Sequence, residues 1–225
     1  MKHTVIINKR PVRTGMHSTP DGAICGNGDV GVILGEHENG LSCYVSKSDF
    51  WLAGEMGGDD GGIKPVGMLK IDVPKKLYNN YHVEQRMDEG EIFCRFSDGN
   101  ESIETLIFVS HKGNSIWIET TYSNGLKAIS ASFAPADIKS GIIKKKEIGS
   151  TKVFKREFKG DNLVFGTRLT VAVSQKIFNN KCICNIVLNS NHDGTPLILE
   201  ELSEEKFEEE HNDNLKWWEN FYKKS

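Results

Sequence analysis

The sequence predicts an all-β body, an antiparallel sandwich or barrel, followed by one amphipathic helix. From about residue 77, short β-branched and aromatic runs alternate with turn signals such as Asp88-Glu89-Gly90, Asp98-Gly99-Asn100 and Ser123-Asn124-Gly125. Repeated strand-length runs between such turns mark antiparallel sheets. The gaps between the runs also leave no room for the crossover helices that parallel strands require. From Ser203 onward the alternation gives way to a helical rhythm.

Each element has its own signal. Runs at 30–34 and 41–46 flank Glu38-Asn39-Gly40 and make a hairpin. Further strands are expected over 81–87, 91–96, 102–109, 115–122, 152–158, 163–173 and 181–188. Within 115–122, Ile116, Ile118, Thr120 and Tyr122 share one face, with Ser115, Trp117, Glu119 and Thr121 on the other. A basic stretch over 139–159 is interleaved with Phe154 and Phe158 and broken by Glu147 and Glu157, so it reads as a solvated hairpin. Ser203 caps the helix, and glutamates crowd its first turns, where the dipole favours negative charge. Phe207, His211, Leu215, Trp218 and Tyr222 fall on one stripe about 80° wide, which Trp217 and Phe221 broaden to about 160°. So many aromatic rings need a large partner surface. Either the sandwich supplies it, or the helix leads into a further domain.

Composition narrows the function. At 225 residues and 38% hydrophobic, the chain buries a full core without metal or disulfide staples. Its 28 basic and 31 acidic residues leave a net charge of −3, which argues against a general nucleic-acid binder. No apolar run approaches the roughly 20 residues of a membrane span, and the N-terminus lacks the apolar stretch of a signal peptide. The expectation is a soluble, cytoplasmic protein with no membrane partner. The five cysteines form no CxxC pair and are expected as buried free thiols. Cys182 and Cys184, two apart on one strand, stand roughly 6.6 Å from each other, too far for a bridge.

Gly26-Asn27-Gly28-Asp29-Val30-Gly31 matches the dinucleotide-binding pattern GxGxxG, but that fingerprint must open a helix. The β-branched run that follows opens a strand, so no nucleotide cofactor is expected. No cofactor of any kind, metal-ligand cluster or catalytic motif is expected. Asp59-Asp60, set among glycines, reads as an exposed loop.

Three segments together resemble a known family. Gly26 through Gly35 is similar to the GNGxLGaxvxG opening of the N-terminal domain of family 95 and related glycoside hydrolases. That group includes α-L-fucosidases and lies near the maltose-phosphorylase family. Ser48-Asp49-Phe50-Trp51-Leu52-Ala53-Gly54 resembles its N-x-D-T-L-W-x-G element. His211 and Trp217-Trp218-Glu219-Asn220-Phe221-Tyr222-Lys223-Lys224-Ser225 resemble its HxxxWWxxFWxxS helix. The resemblance implies a large two-sheet antiparallel supersandwich, galactose-mutarotase-like in fold, with a C-terminal linker helix leading to an (α/α)6 catalytic barrel.

On that basis residues 1–198 are expected to form the sandwich and 199–225 the linker helix. The expected role is that of a non-catalytic domain of a glycoside hydrolase, packing on a barrel in the same polypeptide and shaping its sugar site. No catalytic residue carries over. Phe207, Leu215, Trp217, Trp218, Phe221 and Tyr222 are the expected interdomain contacts. Asn27, Asp49 and Trp51 are the candidate ligand contacts: the ring stacks on a sugar, and the polar pair bonds its hydroxyls. Purely structural roles for these three are the competing expectation. A free-standing carbohydrate-binding sandwich, with an oligosaccharide as partner, is the alternative. An aldose-epimerase-like enzyme is a third, and it requires a His and a Glu converging in one cleft.

Overall fold

The computed structural model describes residues 3–12, 21–37, 40–52, 62–127, 129–138, 142–160, 165–194 and 196–224. In chain order the first strands are β1 (Thr4–Ile7), β2 (Ile24–Gly26), β3 (Val30–His37), β4 (Gly40–Lys47), β5 (Trp51–Leu52), β6 (Gly62–Ile63) and β7 (Gly67–Asp72). Then follow β8 (Asn80–Arg86), β9 (Glu91–Asp98), β10 (Glu101–Val109), β11 (Ser115–Tyr122) and β12 (Ala131–Pro135). The last are β13 (Ile142–Ile148), β14 (Thr151–Glu157), β15 (Arg168–Phe178) and β16 (Lys181–Ser190), ahead of the helix α1 (Glu204–Tyr222). The architecture is an all-β antiparallel sandwich with one C-terminal helix.

Nine strands form the larger sheet in the order β1-β8-β9-β10-β11-β16-β15-β14-β13, and five form the smaller in the order β12-β7-β4-β3-β2. The core lies between them. Val32, Leu34, Cys43, Leu69 and Ile71 of the smaller sheet face Val83, Ile103, Ile107, Ile118 and Ile186 of the larger. Within this layer Thr105 and Thr120, directly opposite each other, share a buried hydroxyl hydrogen bond of 3.2 Å. Cys43, Cys94, Cys182 and Cys184 are buried free thiols and Cys25 is half-buried. Burial pushes the Cys43 thiol up to about 12.

Strand β11 carries Ile116, Ile118 and Tyr122 inward as its alternation predicts. Trp117, on the opposite face, is also buried, in a second cluster with Phe108, Ile183, Leu202 and Phe207. Helix α1 supplies the cover. Ser203 caps it by accepting the Lys206 N–H at 3.0 Å, and Phe207 meets Phe108 and Trp117 edge-on, at 5.7 and 6.2 Å. His211 then reaches the buried carboxylate of Glu91 at 2.6 Å, and Arg86 holds the other oxygen at 2.7 Å. Farther along, Asn214 accepts the His111 N–H at 3.2 Å and Trp217 stacks on the His111 ring at 5.5 Å.

Two expectations need correction. The strand placed over 163–173 is β15, Arg168–Phe178; residues 163 and 164 lie outside the described part. Gly166 packs so close to the Phe158 carbonyl that a Cβ there would sit 2.7 Å away, and the ladder starts only after it. The far end runs on to a tight turn at Asn179, whose φ of 46° lets the hairpin with β16 close late. The docked stripe of α1 also differs. Asn214, 1% exposed and outside the predicted aromatic stripe, docks on the sandwich, because its side chain satisfies a turn amide.

Trp218 fits only because residue 90 is glycine. The turn there has φ +64°, and an added Cβ would lie 1.9 Å from the indole nitrogen. Phe207→Ala should cost about 3–5 kcal/mol in urea unfolding, since a ring between two others leaves a cavity. A loss below about 1 kcal/mol would mean that the helix is not docked on this sheet.

Candidate functional site

Several loops meet at one end of the sandwich, and Asn27 builds the first of them. Its Oδ1 accepts the N–H groups of Asp29 and Val30 at 3.0 and 2.8 Å. Its Nδ2 donates to the carbonyls of Ser110 and Gly113, both at 3.0 Å, pinning the β2–β3 loop to the β10–β11 turn. Gly28, at φ +94°, makes the turn between them. The GxGxxG pattern is thus a glycine-containing turn between antiparallel strands.

The loop presents Asp29 to Lys47, whose side chain is 0% exposed at the end of β4. The ammonium touches three carboxylates: Asp29, Asp49 and Asp193, each at 2.8 Å. Ser48 donates to Asp29 at 2.5 Å and Ser190 to Asp49 at 2.5 Å. Asn114 donates to Asp193 at 3.2 Å, and the Ser190 N–H donates to the other Asp193 oxygen at 2.5 Å. Burial pushes the Asp29 carboxyl up, but the hydrogen bonds from Lys47 and Ser48 outweigh it and hold it below its ordinary value. Burial likewise pulls Lys47 down, yet its bonds to Asp193, Asp29 and Asp49 hold the ammonium above its ordinary value. No described trio of His, Cys, Asp and Glu is placed to hold a metal ion. The centre of this carboxylate cluster is filled by the lysine.

A groove of about 570 Å³ runs from Asp29, Lys47 and Ser48 past Arg86 and Glu91 to Trp218 and Tyr222 of α1. The loop end and the end of the helix therefore share one surface. Glu91, which lines this groove, is 2% exposed and shared between His211 and Arg86. Burial raises the Glu91 carboxyl, and His211 and Arg86 more than reverse this, leaving it ionised.

The three predicted ligand contacts gather at this end with different freedom. Both ends of the Asn27 amide are engaged within the chain. Asp49 gives one oxygen to Lys47 and the other to Ser190. Trp51 ties its N–H to the Ser48 carbonyl at 2.8 Å and leaves its ring 45% exposed. Of the predicted interdomain residues, Phe207 is buried in the chain's own cluster, and Trp218 lies against Gly90. Leu215 is half-buried, whereas Trp217, Phe221 and Tyr222 remain 39%, 48% and 37% exposed. Lys47 and Asp193 escaped the sequence reading; only the odd placement of a lysine at the end of a strand of apolar and small residues hints at the first. Ala53, Gly54 and Asp59-Asp60 lie outside the described residues.

No family model matches the sequence, and no curated protein does. A solved structure described as "Putative kojibiose phosphorylase from human microbiome" shares the fold, with a TM-score of 0.52 and 12% identity. The match covers 88% of this chain and 32% of that one. This chain thus spans about a third of that neighbour's length. At this identity the likeness shows the fold alone, and the neighbour's description is that of a phosphorylase, so membership of family 95 in particular has no support from it. No described helix is long and apolar enough to cross a membrane.

Lys47→Met should cost about 3–5 kcal/mol in denaturant unfolding, because it leaves three carboxylates facing one another. The pH dependence follows from the shifts. The Asp29 contribution is present above about pH 4 and fades as pH falls through its depressed pKa; that of Lys47 is present below about pH 10 and fades only above its raised pKa. Melting temperature should therefore be flat through neutrality and fall in acid more steeply for the parent than for the methionine variant. Parallel acid profiles would contradict the cluster's role.

Proposed function

We propose that the chain is the non-catalytic sandwich of a sugar-active enzyme of the family 95 and maltose-phosphorylase kind, with residues 199–225 leading to an (α/α)6 barrel in the same polypeptide. The observation that carries this is the end of α1. One side of the helix is fastened to the sandwich through Phe207, His211 and Asn214, and Trp217, Phe221 and Tyr222 still face outward. Large exposed rings grouped beside a groove suit a further protein surface. The fold neighbour, three times longer, supports the same reading. In this arrangement the loop end around Trp51 sits at the mouth of the sugar site.

The chain alone should neither hydrolyse nor phosphorolyse glycosides. Phe221→Ser should leave its stability within about 0.5 kcal/mol, as at other exposed positions. In a polypeptide that carries both sandwich and barrel, the same change should loosen the one from the other and lower activity. Enzyme-like turnover by the chain alone overturns the proposal.

A second reading, a carbohydrate-binding sandwich, is favoured by one observation: the Trp51 ring is fixed through its N–H and exposed on its face. It requires oligosaccharide binding that Trp51→Ala abolishes, which a calorimetric titration would decide.

A further inference from the structure

A second groove, of about 470 Å³, lies on the outer face of the larger sheet. Its floor includes Trp117 of β11 and Asn185 of β16; Asn114 and Ser115 stand at one side and the 196–198 segment at another. Trp117 is 2% exposed, and its Nε1–H has no hydrogen-bond partner. Buried tryptophan N–H groups nearly always find an acceptor, so this donor asks for one from outside the chain.

The charges around the groove are already matched. Lys112 is held by Asp213 at 2.6 Å and Asp193 by Lys47 at 2.8 Å. Glu200 and Glu210 both bind Lys206, at 3.1 and 3.0 Å. No unengaged cation among the described lining residues is left to receive a phosphate or carboxylate. The amide N–H groups of Asn114 and Asn185 go to Asp193 and to the Ile116 carbonyl, each at 3.2 Å. What remains is the indole donor, the side-chain carbonyls of these two asparagines, the Ser115 hydroxyl and the apolar side chains of Leu197 and Ile198, the latter 66% exposed. Hydroxyls in the plane of a ring and C–H groups across its face match that set, and the volume is in the range of small-molecule sites.

We infer that this groove binds a neutral, hydroxyl-rich ring, a mono- or disaccharide, whose oxygen accepts the Trp117 N–H and whose other hydroxyls donate to Ser115 and to the side-chain carbonyls of Asn114 and Asn185. The site lies within this chain, and it is separate from Trp51 and from the exposed end of α1. It holds whether or not a barrel follows.

The test is a nitrogen–proton correlation titration of the 225-residue chain with glucose, maltose and kojibiose, with inorganic phosphate as the charged control. The Trp117 indole signal, assigned by its loss in Trp117→Phe, should shift saturably with at least one sugar and not with phosphate. Affinity read from the Asn185 amide should fall about tenfold in Trp117→Phe, the loss expected for one hydrogen bond. It should fall severalfold in Ile198→Ala, a rim change that cannot unfold the sheet, and stay unchanged in Trp51→Ala. Three results would each overturn the inference: no saturable shift of the Trp117 indole with any of the sugars, an equal shift with phosphate, or binding that disappears with Trp51→Ala. The last would place the sugar at the loop end and leave the Trp117 groove to water.

Discussion

A lysine ammonium sealed from solvent among three aspartates organises the end of this sandwich where its loops meet. Lys47 ends the central strand of the smaller sheet, Asp29 comes from the β2–β3 loop, Asp49 follows β4, and Asp193 follows β16 of the larger sheet. The apolar core presses the two sheets together without direction. The ion cluster adds direction, since its four members fit only when loops from both sheets stand in one register. An ammonium of this kind is costly to bury unless its partners are nearly ideal. Here each carboxylate is itself braced, by Ser48, by Ser190 or by Asn114.

The helix adds a second fixed point on the other face of the large sheet. Its first half behaves as a core element, with Phe207 buried and His211 bonded to Glu91. Its second half crosses the β10–β11 turn, the same turn that Asn27 grips from the loop end. Loops and helix are thus tied through residues 110–114, and the groove beside Trp218 inherits both constraints. A partner seated on the outward rings would touch a surface whose position is set by buried ion pairs. Those pairs resist displacement better than isolated surface charges do.

Local pattern made much of this fold legible in the sequence. The alternation in β11, the hairpin of β3 and β4, the Ser203 cap and the free cysteines all follow from residue types a few positions apart. Long-range polar pairings were not legible. Asp29 and Lys47 are separated by 18 positions and Lys47 and Asp193 by 146, and no periodicity links a lysine to aspartates across two sheets. Asn214 was missed for a related reason: apolar stripe analysis ignores the polar residue that meets a turn amide. The motif similarities drew attention to Asn27, Asp49 and Trp51, and those residues do gather at one end. Their separate tasks emerged only with the hydrogen bonds.

The most direct measurement is a double-mutant cycle across Lys47 and Asp193, with Lys47→Met, Asp193→Asn and the pair compared in urea unfolding. If one buried ammonium joins the two sheets, the coupling should reach about 2 kcal/mol or more, near the top of the range for contacting residues. A coupling within about 0.5 kcal/mol of zero would mean that the two sheets are registered by packing alone and would contradict the account.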